Sequence, residues 1–329
     1  MSPSVTVLMP VFNESSVVCR AVESILSQSF QDWELLIVDD GSSDDTLRKL
    51  QSYGNARITV LAQPHRGIAA SLNHGLRQAR GRYIARMDAD DQCHSDRLLQ
   101  QFQFLEANPQ TGAVACKVRY QTAEPLPDGY RRYVDWTNEI ITPAQIAASR
   151  FVESPVAHPS IMFRKQLIAS YGGYTEEKVP EDYELWLRWM NEGITIAKLD
   201  QVLLTWFDRG NRLSRIDDHY KESAFYQVKA RYLSHWYIRY GGKRPLYIWG
   251  HGKVMRRRLK YFEDAGLKIA GFIDLKERKD ERFIYYKSVE IYHDGIVLGF
   301  VADARGKQAI RSFLMQHLME EGVDFFMMV

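Results

Sequence analysis

The chain has 329 residues, which allows one large or two ordinary domains. Hydrophobic residues make up 45% and aromatics 12%, which excludes a disordered chain, and a net charge of +2 means bulk electrostatics names no partner. Cys19, Cys93 and Cys116 show no paired spacing and suit a reducing compartment rather than a disulfide framework. Met1-Ser2-Pro3-Ser4 lacks a basic segment followed by an apolar run, so no signal peptide is expected. No stretch approaches the ~20 apolar residues of a membrane span. The expected location is cytoplasmic, with peripheral attachment to the membrane's cytoplasmic face left open.

Val5 to Met9 is a β-branched apolar run that predicts a buried parallel strand stopped by Pro10, with Asn13 as the N-cap of the helix behind it. Glu34 to Val38 predicts a second buried strand, Ile58 to Leu61 a third and Tyr83 to Met87 a fourth. Helical spacing follows each, including Gly67 to Arg80 and Asp96 to Ala107. Four strand–helix alternations with short loops predict a doubly wound α/β half-domain. Further on, Ala113 to Val118 and Pro159 to Phe163 read as strands, and Glu181 opens a helix with Leu185, Trp186 and Trp189 on its apolar face. A helical, aromatic-rich connector is expected at 216–243, broken at Gly241-Gly242-Lys243-Arg244-Pro245. The expected domains are therefore 1–215, this connector, and 244–329.

In an open α/β sheet, ligand groups sit at the C-terminal ends of the strands. Strand one ends at Pro10-Val11-Phe12-Asn13-Glu14, strand two at Asp39-Asp40 and strand four at Asp88-Ala89-Asp90-Asp91. Three polar clusters thus share one sheet edge. Asp88 and Asp90 are spaced to reach a single magnesium or manganese ion that carries a diphosphate; the alternative is helix capping, with Asp91 or Ser95 serving the next helix. Asp40, more than Asp39, is expected to meet a base N–H or ribose hydroxyls, against a plain N-cap. Glu14 is a candidate ribose contact or simply a first-turn acid. Pro10, Phe12 and Arg66 complete the expected nucleotide-binding set.

These clusters, with Gly41-Ser42-Ser43-Asp44-Asp45-Thr46 after the second and Glu181-Asp182 further on, resemble the motif series of family-2 glycosyltransferases with the GT-A fold. The likeness covers residues 4 to 215. It implies a hexosyltransferase with a nucleotide-sugar donor, usually UDP-linked, metal held by Asp88 and Asp90, and Asp182 as catalytic base. The Gln-x-x-Arg-Trp motif of processive members is absent; Asp208-Arg209-Gly210-Asn211-Arg212-Leu213-Ser214-Arg215 follows instead, so non-processive addition of one sugar is expected. Arg132 to Asn138, Val179 to Asp182, Ile248 to Lys253 and Glu321 to Phe325 resemble a two-domain subgroup that includes the tRNA-queuosine galactosyltransferase.

By this reading Asp182 takes the acceptor hydroxyl's proton in a single displacement that inverts the anomeric centre, and Glu181 orients the acceptor. The alternative for Asp182 is a helix N-terminal acid. His158 faces the acceptor or a phosphate, or is a satisfied core histidine. Arg209, Arg212 and Arg215, spaced three apart, close over a diphosphate as a lid or form a solvated basic loop. Saccharide, lipid-linked and tRNA acceptors all stay open, as does a nucleotide-binding module without chemistry.

Beyond residue 244, Gly250-His251-Gly252 after a strand and Asp274 ending the next form a truncated dinucleotide fingerprint. A small Rossmann-like accessory domain without NAD is expected, used for homodimer contact or acceptor docking. From residue 241 onward there are 16 Lys and Arg against 12 Asp and Glu, an excess that permits RNA contact without demanding it.

Overall fold

A computed structural model describes residues 2–210, 212–288 and 294–329. Strands β1 (Val5–Val11) and β2 (Trp33–Asp39) are buried along their whole length. That explains why they read as unbroken apolar runs: both sheet faces are covered. β1 pairs in parallel with β2 on one side, Val5 opposite Trp33 and Val11 opposite Asp39. On the other side it pairs in parallel with β4 (Tyr83–Arg86), Val5 opposite Tyr83 and Leu8 opposite Arg86. β3 (Ile58–Ala62) extends the parallel half outside β2. The expected alternation is therefore present, with helices α1 (Val18–Leu26), α2 (Thr46–Gln51), α3 (Ile68–Gln78) and α4 (Arg97–Ala107) between and after the strands.

Two local expectations are corrected. Pro10 does not stop β1, which runs on to Val11. Backbone groups of alternate residues point to alternate sides, and Leu8 O accepts from Met87 N while Val11 O accepts from Asp40 N. Pro10 therefore turns its missing N–H toward β4, whose ladder has already ended at Leu8 and Arg86. Asn13 does not cap α1, which starts at Val18 behind Val17. Asn13 is left-handed (φ 54°), and its side-chain oxygen accepts from Ser43 N at 2.8 Å. It fastens the loop after β1 to the loop after β2.

The sheet continues as a mixed half in which β5 (Gln92–Cys93), β6 (Thr111–Thr122), β7 (Met162–Arg164) and β8 (Thr195–Asp208) complete the order β3-β2-β1-β4-β7-β6-β8-β5. β7 is antiparallel to β4 and β6, and β8 is parallel to β6 over most of its length. β5, directly after the acid cluster, pairs antiparallel with β8, Cys93 opposite Leu204. This short pairing brings the end of β8 to the end of β4.

Helices α5 (Gly129–Glu139), α6 (Pro143–Ser149) and α7 (Gln166–Tyr171) precede α8 (Glu181–Asn191). Leu185, Trp186 and Trp189 of α8 are fully buried as expected, and so are Tyr183 and Leu187, because the helix is enclosed on more than one face.

Residues 1–143 and 156–220 form one compact unit, and 144–155 with 221–329 form the second. Helix α9 (Leu213–Ile216) comes just before the aromatic-rich stretch expected as a connector; that stretch is divided, with residues up to Tyr220 in the first unit and helix α10 (Glu222–Trp236) in the second. Among the described residues the second unit also has a parallel sheet of five strands, β9 (Leu246–Trp249), β10 (Ile269–Asp274), β11 (Phe283–Tyr285), β12 (Ile296–Gly299) and β13 (Phe325–Met327). Their order, β11-β10-β9-β12-β13, is Rossmann-like. Helices α11 (Lys253–Asp264) and α12 (Ala304–Gln316) belong to it. Gly250 (φ 107°) makes the turn out of β9, Gly252 sits just before α11, and Asp274 ends β10 in an ion pair with Arg278.

Gly75 lies in mid-α3, where a Cβ would stand 2.2 Å from Leu8 Cδ1 and 3.1 Å from Val38 Cγ2. Ala exceeds Gly in helix propensity by about 1 kcal/mol, but overpacking a core costs about 1–3 kcal/mol. Gly75→Ala is therefore expected to lower stability in urea unfolding by about 1–2 kcal/mol. A more stable variant would show that α3 does not rest on β1 and β2 as described.

Candidate functional site

The acid cluster lies where β4 ends. Carboxylate oxygens of Asp88, Asp90 and Asp91 lie within 4.8 Å of one another. At such spacing each pair of charges repels by about 3–4 kcal/mol at an effective dielectric of about 20, so the cluster needs positive partners. Three arginines supply them. Arg86 Nη1 donates to Asp88 Oδ1 at 2.5 Å, and Arg212 Nη2 approaches Asp88 Oδ2 at 3.4 Å. Arg209 Nη2 donates to Asp90 Oδ2 at 3.1 Å and to both oxygens of Glu14 at 2.7 Å. The Asp90 carbonyl accepts from Arg20 Nη2 at 2.6 Å.

Asp91 is wholly buried. Its Oδ1 accepts from Phe207 N at 3.0 Å, while Oδ2 is buried without a donor. Burial first, then Asp90 beside it, pushes its carboxyl well above the usual range, with Arg212 opposing. Burial also raises Glu14, against the pull of Arg209.

The β8 tail thus closes over the cluster. Arg209 and Arg212 face the acids, and Arg212 also donates to Phe207 O at 2.8 Å and lies over the Trp206 ring at 4.4 Å. Arg215 does not join them: it pairs with Asp208 at 2.5 Å and lies over the Tyr130 ring. The stretch is engaged on both counts and is not a solvated loop. Asn211, within the same motif, lies outside the described residues.

A second group forms at the end of β2. Asp40 is buried, and Oδ1 accepts from Gln63 Nε2 at 2.7 Å and Arg66 N at 3.0 Å. Oδ2 accepts from Gly67 N at 2.8 Å and meets His65 Nδ1 at 2.8 Å. Asp40 therefore organises the loop before α3, and its lone pairs are committed to it. Asp39 differs: Oδ2 accepts from Ser42 N at 3.1 Å, while Oδ1 is buried without a donor. Phe12 is 41% exposed and its ring stacks on His65 at 4.2 Å. Pro10 is buried, and the Arg66 side chain is exposed.

The third group opens α8. Glu181 is buried, accepts from Tyr220 OH at 2.6 Å, and lies 3.8 Å from His158 Nδ1. Burial raises its carboxyl, with Tyr220 opposing. Asp182 is half-buried, and its Oδ1 accepts from Tyr183 N at 2.7 Å. His158 is buried with Nε2 2.9 Å from Tyr174 OH and its ring edge-on to Trp186. Burial, then the Arg86 charge, holds the imidazole well below its usual range, so it is neutral. Arg86, bonded to Asp88, lies within electrostatic reach of Tyr174 and Glu181; Tyr174 in turn feels Glu181, Asp182 and Asp88. Arg86 therefore links the β4 acids to the acids of α8.

Sequence reasoning missed Arg86, Arg20, Tyr174 and Tyr220. Arg86 had a signal: an arginine two positions before Asp88 lies on the same side of an extended chain. Tyr220 had none, because a short turn after the β8 tail brings it to Glu181.

A parallel half-sheet with an orphan acid after β2 and a crowded acid cluster after β4 defines a nucleotide-handling α/β enzyme. The glycosyl transferase family 2 profile matches residues 6–172. The chain is 33% identical over 214 residues to glycosyltransferase EpsE of Bacillus subtilis (strain 168), covering 61% of this chain and 72% of that protein. It is 28% identical over 191 residues to the amylovoran biosynthesis glycosyltransferase AmsE of Erwinia amylovora, covering 56% and 68%. The fold is similar to that of S. aureus TarS in complex with UDP-GlcNAc, at 18% identity and a TM-score of 0.55 over 71% of this chain and 73% of the other. This chain belongs to glycosyl transferase family 2. Its first unit has the GT-A fold, and it is a glycosyltransferase.

Neutral His158 yields a pH prediction. Above its ordinary value of 6.5, the histidine is neutral whether the chain is folded or not. As pH falls, the unfolded imidazole takes a proton that the buried one refuses, so stability is lost by up to about 1.4 kcal/mol per pH unit below 6.5. The raised acids Asp91, Glu14 and Glu181 act in the opposite sense, so the readout is the difference between wild type and His158→Gln. Urea midpoints of the two are expected to converge from pH 7 to pH 5. A constant difference would mean that folded His158 takes up its proton over the same pH range as the unfolded chain does.

Proposed function

We propose that the chain transfers one sugar from a UDP-linked donor to an acceptor hydroxyl, with inversion, in the synthesis of a cell-surface saccharide. The observation that carries this reading is the crowding of Asp88, Asp90 and Asp91 at the strand end, within the same electrostatic network as Glu181 and Asp182. The name of AmsE, an amylovoran biosynthesis enzyme, supports the polysaccharide setting, and that of WfgD of Escherichia coli, 34% identical over 105 residues covering 32% of this chain and 42% of that protein, supports a UDP-linked donor.

The residues fit a divalent cation. Three carboxylates converge, and Asp91 Oδ2 is a buried acceptor without a donor. Asp88 and Asp90 would hold manganese or magnesium, which when bound supplies Lewis-acid neutralisation of a diphosphate leaving group. Arg209 and Arg212, paired with these acids here, are placed to transfer to phosphate oxygens. Asp39 Oδ1, the orphan acceptor after β2, takes the imide N–H of the base in place of Asp40, and Phe12 with His65 offers an aromatic surface beside it.

Asp182 accepts the proton of the acceptor hydroxyl as that oxygen attacks the anomeric carbon and the carbon–oxygen bond to the diphosphate breaks. Glu181, raised by burial and held by Tyr220, orients the acceptor rather than taking its proton. Neutral His158 lies beside Glu181, at 3.8 Å, without adding charge.

Asp182→Asn is expected to lower kcat by about 100- to 10,000-fold and to leave the Kd for UDP unchanged. Retained turnover would remove Asp182 from proton transfer. UDP with manganese, at about 100 times its Kd, is expected to stabilise the wild type by about 2.7 kcal/mol, and Asp90→Ala to abolish the manganese-dependent part of the rise in Tm. An unchanged response in Asp90→Ala would separate the acid cluster from the metal.

A further inference from the structure

The opposite edge of the GT-A sheet holds a cavity of about 590 Å³ that the sugar-transfer reading does not use. It lies where β4 begins, at the N-terminal ends of the parallel strands, while the acid cluster lies at their C-terminal ends. Arg80, Arg82, Arg164, Lys165 and Gln166 line it. The α3–β4 turn is held tightly there: Gly81 N donates to Thr6 Oγ1 at 2.9 Å, and a Cβ on Gly81 would stand 2.4 Å from Thr6 N. The adjacent arginines are thus displayed on a fixed turn.

The charges in this cavity do not balance. Arg80 pairs with Glu34 at 2.6 Å and Arg82 with Glu106 at 3.0 Å, and both guanidinium groups are largely exposed. Arg164 donates to neutral oxygens, Thr111 O at 2.9 Å, Leu105 O at 2.7 Å, Asn108 O at 3.2 Å and Tyr83 OH at 3.0 Å; the carboxylate in its reach, Glu106, already pairs with Arg82. Lys165 Nζ donates to Ala79 O. Four cations therefore face two carboxylates in a pocket open to solvent. Gln166 stands exposed at the rim. Arg164 and Lys165 also close the C-terminal ends of α4 and α3 through these carbonyls, whereas Arg80 and Arg82 bond only carboxylates at the surface.

We propose that this pocket is a second anion site, separate from the donor site, that takes a phosphate group through Arg82, Arg164 and Lys165. The phosphate is that of a soluble ester or of an anionic lipid headgroup, since both present the same oxygens to a guanidinium.

Two probes applied to the full chain without divalent metal distinguish the sources: calorimetric titration with inorganic phosphate, and co-sedimentation with phosphatidylglycerol vesicles against phosphatidylcholine vesicles. Gln166→Glu adds a negative charge at the rim without removing a described bond, and Arg82→Glu reverses one in the wall. At least one probe is expected to bind, weakening with salt, and each variant to weaken it by about tenfold while UDP binding is unchanged. Phosphate binding lost in the variants identifies a soluble ester; vesicle binding lost in them identifies a headgroup. Wild type that binds neither probe, or variants that bind as wild type does, would overturn the assignment.

Discussion

Carboxylate repulsion at the end of β4 is the constraint on which the rest of the site depends. Three acids with oxygens within 4.8 Å cannot share that space as a bare cluster. The protein answers with guanidinium groups from two sources. Arg86 comes from β4 itself, buried in the sheet. Arg209 and Arg212 come from the tail of β8, more than a hundred residues away in sequence. In the proposed function the second source is the exchangeable one. A cation and a diphosphate would present the acids and the arginines with better partners than each other.

The same constraint accounts for the mixed half of the sheet. β5 is only two residues long, yet its pairing with β8 fixes the Phe207 amide on Asp91 and carries the arginine tail across the cluster. Tyr220, beyond that tail, reaches Glu181. The tail therefore touches the β4 acids and the α8 acids alike, and its position is coupled to both. Glu14 joins the set through Arg209, which ties the end of β1 to the end of β4.

The parallel half was legible because strands covered on both faces must be continuous apolar runs, and the acids that end them stand out. Asp39, Asp88 and Asp90 were visible on those grounds, whereas Glu181 and Asp182 stood out as acids that open a helix and through the family-2 resemblance. Asp40 was visible too, but its task was not: only the fold reveals that Gln63, His65, Arg66 and Gly67 return to saturate it. Pro10 misled for a similar reason, since whether a proline ends a strand depends on whether the neighbouring ladder still needs its N–H. Tyr220 and the long β8 were illegible because non-local pairing leaves no periodic trace. Arg209 and Arg212 were readable as a pair of cations, but not their partners.

The most direct test is anomalous diffraction from crystals grown with UDP and manganese. The account predicts a manganese peak within coordinating distance of Asp88 and Asp90, with the diphosphate on it and Arg209 moved from Asp90 to a phosphate oxygen. A bound UDP with no manganese at these aspartates, and Arg209 still on Asp90 and Glu14, would contradict it.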